Sequence, residues 1–215
     1  MSTAFQIEGD IVQGDIRFRE STHEYFHIPT GRKLASVSQV INTVFNLKSW
    51  DGVDPAIVEN ARIRGSAVDA YLTRYVRNQR LDILNELEDV TQRVVIAHRI
   101  WEQEFHGLPA EPQKIVYSLE DGIAGTMDFF VDNRIVVDLK NTYSLEKSVV
   151  LQLGAYVEYA PVDPPPSRCG IIHVSPKVYR NGGKWIEYDV AMCRTYWRAA
   201  VDWWQMAKMM KGEKK

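Results

Sequence analysis

The sequence predicts a mixed fold, an α/β or α+β sandwich built around a mixed sheet. Three observations carry this. Apolar residues recur at helical spacing through most of residues 36–106. The period then shortens to two over "KIVYSLE", "IAGTMDFFV" and "RIVVDLK". A helical stretch follows, then two more strand-like runs and a last helix.

Residues 1–35 alternate only weakly, and "HEYFHIPTGRKLAS" reads as a short hairpin turning near Thr30-Gly31. A helix starts at "SVSQVINTVF", capped by Ser36 or Ser38, with Val37, Val40, Ile41 and Val44 as its apolar stripe. A second follows Pro55, a residue suited to a first helical turn; Ile57, Ala61, Val68, Leu72 and Tyr75 can share a buried side. A third covers roughly Leu84 to Phe105 and stops at Gly107.

In the strand region, Asp121-Gly122 is a strong hairpin signal and Asp132-Asn133 a weaker one. "SLEKSVVLQLGAYVEYA" reads as an amphipathic crossover helix capped by Ser144 and ended by "PVDPPP". "RCGIIHVSPKVY" and "GKWIEYDV" form a strand pair turning around Asn181-Gly182-Gly183. The last helix begins near Met192 and ends in "KGEKK". One domain over 1–215 is expected, with a hairpin region (1–35), a helical part (36–106), a sheet core (107–190) and a C-terminal helix with a basic tail (191–215).

Composition bounds the chemistry. The chain has 215 residues, 45% hydrophobic and 25% charged, with a net charge of −2, so any surface for a polyanion must be a local patch. Two cysteines are too few for a four-thiolate zinc or iron–sulfur site. No apolar run reaches the ~18 residues of a membrane span. "MSTAFQIEGD" lacks the pattern of a signal peptide, so a cytoplasmic setting is expected.

The informative feature is charge inside strands. In "RIVVDLK", Ile135, Val137 and Leu139 make an apolar face, while Val136, Asp138 and Lys140 share the other. In the preceding strand Asp128 shares its face with Ala124, Thr126 and Phe130. A two-residue loop at Asp132-Asn133 sets Asp128 opposite Val137; a three-residue loop or a bulge sets it opposite Asp138. Opposed carboxylates repel, and a divalent cation reverses that sign. The alternative is a plain ion pair of Lys140 with Asp138 or Asp128 at a sheet edge.

Gly125 and Asp128 in "GTMD", Asp138 and Lys140 in "VVDLK", and Gln152 and Tyr156 in "QLGAY" follow one another in an order and spacing that resembles the PD-(D/E)XK nuclease superfamily, its RecB-like exonuclease branch in particular. "YFHIPTGRKLASVSQVI" and "RGSAVDAYL" are similar to that family's N-terminal hairpin-helix and Arg-Gly-containing helix, so the resemblance spans roughly Glu24 to Tyr188. It implies a restriction-endonuclease-like core, a central mixed sheet flanked by helices, and hydrolysis of DNA phosphodiesters in recombination, repair or degradation.

The resemblance also implies roles. Asp128, Asp138 and the Leu139 carbonyl would ligate Mg²⁺, or Mn²⁺ in its place. Lys140 would position the attacking water. Gln152 and Tyr156, one turn apart, would cover the site. Asp69 stands where many relatives place a metal-binding histidine; it binds metal or pairs with Arg62, Arg64 or Arg74. The cysteines of an iron–sulfur cluster are missing, so that cofactor is not expected. Glu111 and Glu120 are weaker candidates for a water-mediated metal contact, or are solvated strand-end charges.

For DNA, the stretch from Arg62 to Arg80 holds five arginines against Asp69, either a phosphate-binding face or a solvated one. Arg62 and Arg64 are the named contacts, with Gln152, Tyr156 and Ser36, whose hydroxyl either meets phosphate or simply caps its helix. The C-terminal tryptophans Trp197 and Trp204 lie on an apolar stripe and read as core. A recombinase, a single-strand-binding protein, a helicase and further copies of the chain are the partner classes implied. Two rival readings remain: a non-catalytic nucleic-acid-binding or assembly module on the same fold, and a structure-specific endonuclease.

Overall fold

In a computed structural model, residues 5–7, 10–45, 54–78 and 88–212 are described. Their strands form one ten-stranded mixed sheet. Strands β1 (Phe5–Ile7), β2 (Asp10–Gln13), β3 (Ile16–Arg19), β4 (Glu24–His27) and β5 (Arg32–Ser36) meander antiparallel. The hairpin expected at Thr30-Gly31 is β4–β5, and Gly31 takes the left-handed φ of 67° that its turn needs. The three earlier strands were legible only as weak alternation, because each is at most four residues long.

Chain leaving β5 enters α1 (Val37–Phe45) directly. Ser36 is the cap: its hydroxyl accepts from the Gln39 N–H at 3.1 Å, and its own N–H donates to the Gln39 side chain at 2.8 Å. This reciprocal box satisfies two backbone donors at the helix start. Helix α2 (Pro55–Asn78) buries Val68, Leu72 and Tyr75 as expected, but Ile57 is 62% exposed and Ala61 is exposed as well. At ~1.5 Å per residue its 24 residues outrun the sheet face beneath, so apolar spacing there does not mean burial. Helix α3 spans Glu88–Phe105; the expected start at Leu84 falls outside the described residues, as does Arg80.

Strands β6 (Ala110–Ser118), β7 (Ile123–Val131) and β8 (Ile135–Lys140) run antiparallel in sequence. The crossover helix α4 is Val149–Tyr159, shorter than the helix expected from Ser144. Ser144 does not cap it: its carbonyl accepts from the Thr142 hydroxyl at 2.9 Å inside a loop, and Ser148 occupies the cap position without a side-chain bond. Strand β9 (Arg168–Val174) then pairs parallel to β8, and β10 (Gly183–Tyr188) antiparallel to β9. The final helix α5 (Val190–Met210) is capped by Asp189, which accepts from the Met192 N–H at 2.6 Å.

Two apolar layers flank the sheet. Phe130, Val136, Tyr156 and Trp197 pack among α1, α4 and α5. Phe129, Val137, Leu139 and Trp101 pack beneath α2 and α3. Trp197 and Trp204 are buried, which is the core role expected of that stripe.

Strand β7 positions the site. β6 pairs with it from Ile123 to Val131, so β5 and β8 must share its other edge. β5 takes Ile123 and Ala124; β8 takes Phe129 to Val131. Residues 125–128 lie in the fork between them.

Candidate active site

The loop between β7 and β8 decides whether the two aspartates meet. Val131 pairs with Ile135, which leaves Asp132, Asn133 and Arg134 as a three-residue loop. Asp132 and Asn133 both adopt left-handed φ, near 50°, and Arg134 donates its N–H to the Val131 carbonyl at 3.0 Å. Continuing the register from Phe129 opposite Val137 brings Asp128 opposite Asp138. The ladder stops there because the Asp128 carboxylate accepts the Leu139 N–H at 2.7 Å.

A second irregularity faces Asp128 from the other side. Gln113 in β6 has φ 56°, and it and Asp128 alone drop out of the β6–β7 pairing. Ile123 and Met127 pack in the α4 and α5 layer, yet so does Phe130, while Phe129 and Val131 face α2 and α3. Side-chain alternation therefore slips by one between Met127 and Phe129. The slip corrects the expected grouping: Asp128 shares a face with Phe130, whereas Ala124 packs in a separate cluster against β3, β4 and Ile115. Gln113 also donates to Asp69 on α2, at 3.1 and 3.4 Å. Asp69 is thus held by an amide, not by any of the three arginines considered for it.

Asp138 is 1% exposed. Its carboxylate lies 2.7 Å from the Lys140 ammonium, and no other donor among the described residues reaches either of its oxygens. The Asp138–Lys140 pair therefore forms, buried in the sheet instead of at an edge. It does not balance the site. Asp69, Asp128 and Asp138 bring three formal negative charges against one positive.

The titration behaviour follows from that excess. Burial first, then Asp138, lifts the Asp69 carboxyl to about 6, with Lys140 opposing. Burial, Asp138 and Asp69 raise Asp128 well above the carboxylate range, against Lys140 and the Leu139 N–H. Burial works against charge on Lys140, but Asp138 and Asp128 outweigh it and hold the ammonium above its usual value. Burial and the two aspartates raise the Tyr156 hydroxyl strongly as well.

Helix α4 roofs the site. Gln152 donates to the Tyr156 hydroxyl at 2.9 Å. Gly125 lets this roof sit close: a Cβ there would lie 2.8 Å from Val37 and 3.0 Å from the Tyr156 ring. A pocket of about 250 Å³ is lined by Ser36, Gly125, Asp128, Gln152 and Tyr156. A larger cleft of about 800 Å³ runs from Lys140 and Gln152 toward Arg64. Gln152 lines both.

These features share their fold with a solved structure. A candidate exonuclease from Eubacterium rectale matches with a TM-score of 0.52 at 12% identity, covering 85% of this chain and 83% of that one. The two chains share a fold. An alkaline exonuclease from Laribacter hongkongensis matches with a TM-score of 0.45 at 10% identity, and its complex with dAMP with 0.46 at 11%; each covers 83% of this chain and 89% of that one. No family model matches the chain, and no curated protein does.

The remaining expected residues lie further out. Arg62 ion-pairs with Glu59 at 2.6 Å on the exposed part of α2. Arg64 lies 3.8 Å from Asp89 and lines the larger cleft. Ser36 lines the smaller pocket, its hydroxyl engaged in the α1 cap. Glu111 pairs with Lys114 at 2.5 Å, and Glu120 sits exposed in the β6–β7 turn. Among the described residues no three His, Cys, Asp or Glu side chains converge as a ready metal-ligand group. Any cation at Asp128 and Asp138 would thus take few protein ligands.

Two residues were missed. Gln113 gave no signal beyond Pro112 within a strand, itself a mark of irregularity. His173, opposite Lys140 in β9, is 2% exposed and donates from Nε2 to the Thr142 carbonyl at 3.0 Å. Its burial lowers its pKa and favours the neutral ring.

Proposed function

We propose that this chain is a metal-dependent nuclease that hydrolyses DNA phosphodiesters, an exonuclease of the RecB-like branch of the PD-(D/E)XK superfamily acting in recombination, repair or degradation. The observation that carries the reading is Asp138: its buried carboxylate stands opposite a second carboxylate, and Lys140, 2.7 Å away, is the one cation set against Asp69, Asp128 and Asp138. Leaving charge buried and uncompensated costs several kcal/mol. A hard divalent cation removes that cost, and the two-charge excess at the site equals one such ion.

Asp128, Asp138 and the Leu139 carbonyl would hold Mg²⁺ or Mn²⁺, with Asp69 as a further, outer carboxylate. Bound there, the ion supplies Lewis acidity toward phosphate and acidifies a water. The protein's own groups do the rest. The Leu139 N–H fixes the Asp128 carboxylate. Lys140, kept protonated by Asp138 and Asp128, serves as a donor to a phosphate oxygen or to the attacking water, and does not act as a base. Gln152 orients the Tyr156 hydroxyl, which stays neutral and can donate onward to the phosphate. The likeness to a candidate exonuclease supports attack at chain ends, as does the small volume of the pocket beside Asp128. End-labelled linear DNA compared with a closed circle tests this. Cleavage confined to the linear form is expected, and equal cleavage of the circle makes the enzyme an endonuclease.

A further inference from the structure

The cleft of about 800 Å³ beside Lys140 has a lining that the catalytic groups do not explain. Arg64, Arg93, Lys140 and Lys177 line it against one acid, Glu146. Asp89 sits behind the two arginines and offsets one of them, 2.9 Å from Arg93 and 3.8 Å from Arg64. Lys177, exposed after β9, and Tyr143, 69% exposed, both line it.

That exposure is built into the loop. The Tyr143 carbonyl accepts from the Ser175 hydroxyl at 3.2 Å, and the preceding Thr142 carbonyl accepts from His173. Asn141 is held in turn by Arg93 at 2.6 Å. A loop held at three successive residues, by the Asn141 side chain and the Thr142 and Tyr143 carbonyls, presents an aromatic ring to solvent beside a basic cleft. An exposed aromatic ring beside tracking cations is the arrangement that binds unpaired bases and their phosphates.

We propose that this cleft binds a single strand of nucleic acid, Tyr143 stacking on a base while Lys177 and Arg64 meet phosphates. It rests on the nuclease reading for the role of Lys140 at its inner end. Stacking on Tyr143 selects an unpaired strand, whose base faces are free to meet the ring.

The test is fluorescence anisotropy with labelled oligo(dT) and oligo(rU) of equal length, in Ca²⁺, at several salt concentrations. Tyr143→Ala is expected to weaken binding about tenfold, the loss of one stacked base, and Tyr143→Phe to restore it. Lys177→Ala lowers the salt slope by about 0.7, one phosphate on a single strand. Tyr196→Ala, which removes another exposed ring, on α5, binds as wild type. The DNA and RNA arms show which strand the cleft prefers. Wild-type affinity in both Tyr143→Ala and Lys177→Ala, an equal loss in Tyr196→Ala, or no single-strand binding by the wild type overturns the proposal. Hydrolysis of p-nitrophenyl thymidine 5′-phosphate with Mn²⁺ is read separately, since that small ester needs no cleft. Its absence alongside weakened Tyr143→Ala binding overturns the nuclease reading and supports the cleft.

Discussion

The Leu139 N–H reaches across from β8 to the Asp128 carboxylate at 2.7 Å, where a backbone ladder bond would otherwise continue. This one bond ends the β7–β8 ladder and fixes Asp128 opposite Asp138. It also ties the residue whose carbonyl is a proposed ligand to the other ligand.

Without metal, the aspartates should destabilise the fold as they ionise. Asp69 is raised from 3.8 to about 6, so between those values the folded state holds more protons than the unfolded one. Stability of the metal-free protein then falls as pH rises through that window. Asp69→Asn should reduce this slope, the remainder coming from Asp128, whose carboxyl is also raised, and stabilise the protein at pH 7 by on the order of 2 kcal/mol. Urea unfolding in chelator at several pH values checks it. A flat or rising profile between pH 4 and 6 in the wild type, unchanged in the variant, contradicts it.

Lys140 is assigned as a donor. Lys140→Ala should lower kcat by roughly 10²–10³-fold, as for loss of one donor to a developing charge. Lys140→Arg, still cationic, should retain part of the activity. The alkaline limb of the pH–rate profile should not fall near neutrality, since the ammonium's pKa is raised. A basic limb titrating near pH 7 that vanishes in Lys140→Ala would instead make the lysine a base.

Gly125→Ala tests the roof. The added methyl would stand 2.8 Å from Val37 and 3.0 Å from Tyr156, both buried, so α1 and α4 must shift. Overpacking of this kind costs about 1–3 kcal/mol. Denaturant midpoints give the stability, and kcat should fall with it as Tyr156 moves. Unchanged values of both would mean that the close contact is not needed.

Ser36→Ala removes the capping box of α1 and should cost about 1 kcal/mol. Ser36→Thr should recover most of it. Chemical denaturation decides this, and a neutral alanine would show that the cap contributes nothing.

Much of this was legible in the residues. The charges in "VVDLK" and "GTMD" and the odd loop needed to oppose Asp128 and Asp138 followed from period and spacing, and the pair Gln152 and Tyr156 from the family resemblance. Other features depend on what local sequence does not encode. The slip in β7 is set by Gln113 at positive φ, a backbone state that non-glycine residues seldom take and composition does not announce. The α4 boundary moved from Ser144 to Ser148 because Thr142 and Tyr143 are anchored by β9 and the residue after it, contacts thirty positions away. Apolar spacing in α2 implied burial at Ile57, but only the length of the sheet face decides where burial ends.

The central claim is that Asp138 serves a metal that drives cleavage. The direct measurement is degradation of end-labelled linear DNA by the wild type and Asp138→Asn, with Mg²⁺, with Mn²⁺ and with chelator. The account predicts release of nucleotides by the wild type in either metal, none in chelator, and none by Asp138→Asn although that variant unfolds at a higher denaturant concentration without metal. Cleavage in chelator, or Asp138→Asn cleaving as fast as the wild type, contradicts it.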